Sequence, residues 1–299
     1  MTTTTAITPA ATAGTPATAA RRVRRRGGWL PTVVLLAGAA YTLFPVLWVV
    51  IASTKSISQL FSTFTLFPGT GLLTNLHDLS AYRGGEFWQW MLNSALYAGL
   101  GAALSALLSG VTGYALAKYR FAGRATVFNV LLAGVLMPPV VLAVPQYLLF
   151  AHVGMADSYW AVLLPSILSP YGIYLARIYA AGAIPDDVLE AGRVDGASEW
   201  RLFRSVVMPM MSPGLVTVFL FQFVAIWNNF LLPFVMLGDD RKFPLTVGLY
   251  TLLLQGANAP ALYTLVITGA LLSVIPLIAL FLSVQRFWRL DLLSGAVKS

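Results

Sequence analysis

Residues 185–209 read Pro-Asp-Asp-Val-Leu-Glu-Ala-Gly-Arg-Val-Asp-Gly-Ala-Ser-Glu-Trp-Arg-Leu-Phe-Arg-Ser-Val-Val-Met-Pro. The stretch holds Asp186, Asp187, Glu190, Asp195 and Glu199, five of the eleven acidic residues, and lies between two long apolar runs. It is therefore a water-facing loop of a chain otherwise built for lipid. Its local signals spell two short helices around a turn. Pro185 suits a helix start, and Asp186 and Asp187 put negative charge at the positive end of the dipole. Asp195-Gly196 is a stop signal with Gly196 free to take positive φ. Ser198 caps a second helix, which Pro209 is expected to end. The first helix, 186–194, is only about 13 Å long, and helices of that length need a packing partner. Its centre, Glu190-Ala191-Gly192, sets one charge beside two small residues. That pattern fits docking into a groove of another protein, and equally a hairpin folded back on its own membrane domain.

Composition agrees with the membrane reading. The 299 residues are 58% hydrophobic and 10% charged, with mean hydropathy +0.77, against roughly 25% charged in soluble domains. There is no Cys, so disulfides, thiol catalysis and cysteine-ligated metals are excluded. His77 and His152 are far apart in sequence, and no metal site is expected. The net charge of +8 belongs to loops between apolar spans rather than to a nucleic-acid surface.

Outward from the loop, six uncharged runs stand out: 27–54, 87–117, 125–156, 158–176, 205–238 and 243–285. A spanning helix needs about 20 apolar residues. In the last run, Gln255-Gly256-Ala257-Asn258-Ala259-Pro260 is a turn signal, which leaves 261–284 as the sixth span. The expectation is an all-α integral membrane protein of six transmembrane helices. Fifteen of the nineteen Lys and Arg fall on the side of the amino terminus and four on the other (Lys55, Arg83, Arg241, Lys242), so both termini and the 185–209 loop are expected in the cytoplasm. The organisation is then a disordered basic cytoplasmic tail at 1–28, a first helix and outer loop at 29–87, a core at 88–285 carrying the loop, and a cytoplasmic tail at 286–299. Aromatics near the outer loop, Trp88 and Trp90 among them, are expected at the membrane interface.

None of the six runs contains Asp, Glu, Lys or Arg. Ion-coupled carriers keep such residues in the membrane, and no phosphate-binding Gly-x-x-x-x-Gly-Lys loop is present. What remains is a channel or a permease driven by a separate ATPase. Three features are candidates for a pathway. Met137-Pro138-Pro139 interrupts the third run at its midpoint, which lipid tolerates where the break is buried in protein or lines a cavity. Trp227-Asn228-Asn229, with Gln222 before it, is expected just past the middle of the fifth span, where the amides serve interhelical bonds or sugar hydroxyls and Trp227 offers an aromatic face. Pro165, Ser169, Pro170, Tyr171 and Tyr174 make the fourth span irregular and partly polar.

Glu190-Ala191-Gly192, Asp195-Gly196-Ala197 and Met208-Pro209 resemble the "EAA loop" of bacterial ABC importer permeases, with Gly192 at the usual second Ala. The likeness extends through Asn93-Ser94, Gly113-Tyr114-Ala115-Leu116-Ala117, Phe121-Ala122-Gly123-Arg124, Met137-Pro138-Pro139, Trp227-Asn228-Asn229-Phe230, Gln285-Arg286-Phe287 and Gly295-Ala296-Val297-Lys298, and covers residue 29 to the end. It is closest to the maltose-type carbohydrate-uptake subfamily, in which the third position of Trp227-Asn228-Asn229 is commonly Asp. The resemblance implies a type I importer permease whose coupling helix docks on a separate ATPase through Glu190, Ala191, Gly192, Asp195, Gly196, Ala197, Trp200 and Phe203. It implies a substrate pathway at Met137, Pro138, Tyr171, Gln222, Trp227, Asn228 and Asn229. It also implies a second homologous permease, an ABC ATPase dimer that holds ATP and Mg, and an extracytoplasmic solute-binding protein. No cofactor is expected on this chain. The solute implied is a di- or oligosaccharide carried across the bacterial cytoplasmic membrane, with a non-sugar polar solute such as glycerol phosphate as the alternative. A passive channel, a secondary transporter and a membrane-embedded transferase built on the loop carboxylates are the readings from other classes.

Overall fold

A computed structural model describes residues 29–64 and 66–296, with side chains up to residue 285. The basic tail at 1–28 and residues 297–299 lie outside the described residues. Those described form fourteen α-helices and no strand: α1 Trp29–Ser53, α2 Ile57–Ser62, α3 Leu72–Ala81, α4 Glu86–Lys118, α5 Arg124–Leu136, α6 Pro139–His152, α7 Tyr159–Ile167, α8 Pro170–Ala183, α9 Asp186–Val194, α10 Glu199–Leu202, α11 Met208–Trp227, α12 Leu231–Met236, α13 Leu245–Gln255 and α14 Leu262–Ala296. Up to Pro45 the chain forms one compact unit, whose described part is an apolar helix with every side chain exposed. From Val46 onward it forms a second. Five helical spans are long and apolar enough to cross a bilayer, six when the bent pair α5–α6 is counted as one broken span.

The second unit is built on α4. At 33 residues it is about 50 Å long, with Glu86 in its first turn and Lys118 in its last, each matching the dipole. Its buried positions recur every three to four residues, from Phe87 through Trp90, Asn93, Tyr97, Gly101, Ser105 and Ser109 to Gly113, which is one face of a helix. Toward the carboxyl end that face turns small, and α8 and α11 close on it. A Cβ on Gly113 would lie 2.7 Å from the Arg177 backbone nitrogen, and one on Gly110 would lie 2.8 Å from Leu215. Close approach over small residues is how helices gain packing energy where lipid supplies no hydrophobic drive.

One sequence expectation is met and four change. The third run does break at Met137-Pro138, and the two halves meet at 105°. Neither proline can donate to the ladder, and each disfavours helix in the residue before it. The fourth span is longer than its uncharged run, Tyr159–Ala183, because Ser169 restarts the helix by capping Gly172 N–H at 2.9 Å. Arg177 thus lies inside the helix, its guanidinium 3.6 Å from the centre of the Phe128 ring, a cation–π contact. Pro209 does not end the second short helix. One wide π turn, Phe203–Val207, leads into α11, and Pro209 sits in the first turn of that helix. Finally, α11 stops at Trp227. The Asn228 amide donates to Val224 O at 2.8 Å, and Asn229 Oδ1 accepts from Leu232 N–H at 3.3 Å, opening α12. Asparagines that bond nearby backbone end helices, so this triplet marks a helix end and not a mid-span position. Trp90, expected at the interface, is buried and donates to Asp240 O at 3.1 Å.

Candidate coupling hairpin and membrane cavity

The hairpin forms as its local signals require. α9 closes with the two bonds of a Schellman motif, Gly196 N–H to Arg193 O at 3.1 Å and Ala197 N–H to Gly192 O at 3.0 Å. Gly196 takes φ +76° and has no neighbour within 4 Å of where a Cβ would point. Asp195 is the last residue before the turn, exposed, with no side-chain bond among the described residues. Ser198 Oγ accepts from Arg201 N–H at 3.3 Å and starts α10.

One face of α9 turns inward. Leu189 is buried in a cluster with Tyr114, Ala176, Ala180, Ile184, Val207 and Met211; burial of one such leucine contributes about 1.5–3 kcal/mol. Gly192 also faces in, because a Cβ there would overlap Leu202 Cδ2. Its smallness serves the fit of α9 on α10 within this chain, where the sequence placed it on the docking face. Charged contacts brace the hairpin internally and fasten it to the end of α4. Lys118 Nζ lies 2.7 Å from Asp186 Oδ1, Arg193 Nε lies 2.7 Å from Glu199 Oε1, and Tyr119 donates to Glu199 Oε2. The hydrogen bond from Lys118, with its charge, holds the Asp186 carboxyl below its usual range. Burial and the Glu199 carboxylate push the Tyr119 phenol up.

The opposite face is free. Glu190 and Ala191 are exposed, and Glu190 makes no ion pair among the described residues. Val194 is 87% exposed and Trp200 69%, in a segment too charged to lie in lipid. Trp200 stacks on Phe203 with centroids 5.8 Å apart, and Phe203 packs on Tyr114. Apolar side chains presented to water beside an unpaired carboxylate form a surface suited to another protein. The sequence reading missed Val194, although Asp187, Ala191 and Val194 at helical spacing with Leu189 on the other side would have marked it.

A cavity of about 470 Å³ opens between α5, α6, α7, α8, α11 and α12, within the range of small-molecule pockets. It brings Met137, Gln222 and Asn229 together, and adds Gln146 and Ser166. Both additions are polar residues inside apolar runs, which the sequence displays openly. The cavity does not take in the other candidates. Pro138 and Tyr171 are exposed outside its lining, Asn228 points to its own helix, and Trp227 is buried against Phe223, rings 5.6 Å apart. Trp227 therefore offers no aromatic platform. Gln222 donates to Ser169 Oγ at 2.6 Å, joining α11 to the break before α8.

Comparison with known proteins finds relatives over most of the chain. A family profile described as the binding-protein-dependent transport system inner membrane component matches residues 106–289. The arabinooligosaccharides transport system permease protein AraQ of Halalkalibacterium halodurans is 33% identical over 273 residues, covering 90% of this chain and 96% of that protein. The lactose transport system permease protein LacG of Rhizobium radiobacter is 32% identical over 281 residues, covering 92% and 98%. A chain from the crystal structure of a bacterial ABC transporter involved in import of the acidic polysaccharide alginate shares the fold, with TM-score 0.76 and 24% identity over 87% of this chain and 95% of that one. The chain belongs to the family of inner-membrane permease components of binding-protein-dependent ABC importers.

Proposed function

We propose that this protein is one of two homologous permease subunits of an ATP-driven importer that carries a di- or oligosaccharide across the bacterial cytoplasmic membrane, both termini being cytoplasmic. The observation that carries the reading is the free face of α9, where Glu190, in no ion pair among the described residues, stands beside Ala191 and Val194, with Trp200 exposed on the following α10, all on a hairpin latched to the spans behind it. In this account that face seats in a cleft of a separate ATPase dimer, which holds ATP and Mg and does the hydrolysis. An extracytoplasmic solute-binding protein delivers the sugar from the other side. Closure of the ATPases draws the coupling helices together and opens the path outward; loss of hydrolysis products resets it inward.

The cavity supports a sugar over glycerol phosphate. Its polar lining here is Gln146, Ser166, Gln222 and Asn229, with no Lys or Arg. Neutral amides and hydroxyls match sugar hydroxyls as donors and acceptors, whereas a phosphate calls for cationic or clustered N–H donors.

Affinity purification of the tagged protein from its host in mild detergent tests this. The expected product holds a second permease and an ATPase in proportions of about 1:1:2, with ATP hydrolysis stimulated by the sugar-loaded binding protein. Glu190→Lys is expected to leave the protein in the membrane and to weaken ATPase retention by about 2–5 kcal/mol, the range for one member of a docked charge pair. Recovery of this chain alone, or as a homo-oligomer, contradicts the proposal.

A further inference from the structure

At the end of α4 opposite the hairpin, a second cavity of about 470 Å³ lies among the end of α1, α2, α13 and α14. Its walls are Trp48, Ala52, Leu60, Phe61, Leu253, Tyr263, Val266 and Ile267, mostly apolar, and Lys55 is the one charged residue in its lining. Phe61 and Leu253 are exposed, so the space opens past apolar side chains. Lys55 is 2% exposed. Its ammonium donates to Thr63 Oγ1 at 3.0 Å and Phe64 O at 2.8 Å, two of its three donors. No carboxylate pairs with it among the described residues. The end of α1 supplies at most about half a negative charge, so a nearly buried cation is left largely without counter-charge, which is costly unless an anion arrives. Depth is also suitable. α1 is 25 residues, about 38 Å, and the hydrocarbon core is about 30 Å, so Lys55, two residues past its end, falls at headgroup level. Around it Phe61, Phe64 and Phe67 are exposed as an aromatic fringe.

We propose that this is a binding site for one anionic phospholipid, an acyl chain filling the cavity and the phosphate accepting the remaining Lys55 N–H. The site is separate from the sugar cavity and does not rest on the coupling reading. Native mass spectrometry of the whole purified transporter, exchanged into phosphatidylglycerol or phosphatidylethanolamine of matched chains, tests it. The wild type is expected to keep one phosphatidylglycerol per copy of this chain through delipidation, with about fivefold preference over phosphatidylethanolamine, as expected for one lysine near an anionic headgroup. Lys55→Met abolishes the preference while a lipid still binds, Lys55→Arg retains it, and Ile267→Trp, which fills the cavity, removes the lipid. Inorganic phosphate does not compete, because the chain supplies half the site. An unchanged preference in Lys55→Met, unchanged retention in Ile267→Trp, or displacement by inorganic phosphate overturns the proposal. If Lys55→Met fails to assemble, Ile267→Trp and the competition with inorganic phosphate still decide.

Discussion

Gly196 shows how one residue sets the hairpin. Its φ of +76° is the left-handed region, and the space around it is open, so a side chain there meets backbone strain and no clash. Gly196→Ala is expected to weaken the turn by about 1–2 kcal/mol and Gly196→Asn to be near wild type, since Asn tolerates this conformation. Hydrogen exchange at residues 186–200 reads the difference; equal protection in both variants counts against the turn as the determinant. On the other side of the membrane Asp157 has a similar role. Burial alone raises its carboxyl, but the N–H groups of Gly238 and Asp239 and the Lys242 ammonium outweigh that and hold it below its usual value of 3.8. A depressed acid stabilises above its unfolded pKa and loses that contribution as pH falls through the folded one. The melting temperature of Asp157→Asn should therefore trail the wild type by a constant gap from pH 7 to about 5, shrinking only below about pH 4. A gap that closes near neutrality would point to a different group.

At the scale of elements, α4 organises both ends of the unit. At one end Lys118 and the following Tyr119 hold the hairpin. At the other, its first turns bond the loop that precedes α13. Trp90 donates to Asp240 O, Tyr97 to Lys242 O, and Asn93 to Arg241 O and Phe243 O at 2.8 and 3.0 Å, while Ser94 accepts from Leu245 N–H. Asn93 also accepts from Gln89 and Tyr159, so every donor of its amide is used. From Thr246 the grip passes to Asn229 O at 2.8 Å, at the cavity between α5–α8, α11 and α12. Asn93→Asp removes both donors and sets a carboxylate against two carbonyls, each unmatched group costing about 1–3 kcal/mol. Trypsin should then cut after Arg241 or Lys242 several times faster than in the wild type; an unchanged rate would mean that the loop is held by other contacts. Little of this was legible in the sequence. The hairpin could be read because Pro185, Gly196 and Ser198 act on neighbours a few residues away. Asn93 and Arg241 stand 148 positions apart, and nothing local announces their bond. Asn228 and Asn229 misled for a related reason. The uncharged run continues past the true end of α11, and hydropathy does not register where side-chain amides take over the backbone.

For the whole molecule, the ion pairs gather at the two ends of α4. Arg83, Glu86, Asp157, Asp239, Asp240 and Lys242 gather at the Glu86 end of α4, and Lys118, Asp186, Arg193 and Glu199 at the other. Helix number was readable from hydropathy because lipid imposes length and apolarity on each span. Which polar residues share a cavity was not, since Gln146, Ser166, Gln222 and Asn229 come from helices that meet only on folding. On the proposed function, the free face of α9 docks on an ATPase. The chain has no cysteine, so a single Ala191→Cys in the complex can be joined by a short thiol-to-amine cross-linker to whatever lies against that face. One dominant product is expected, this chain joined to the ATPase subunit, with a yield that changes when ATP is added. A product confined to this chain or to another permease, with the ATPase present and unlabelled, would contradict it.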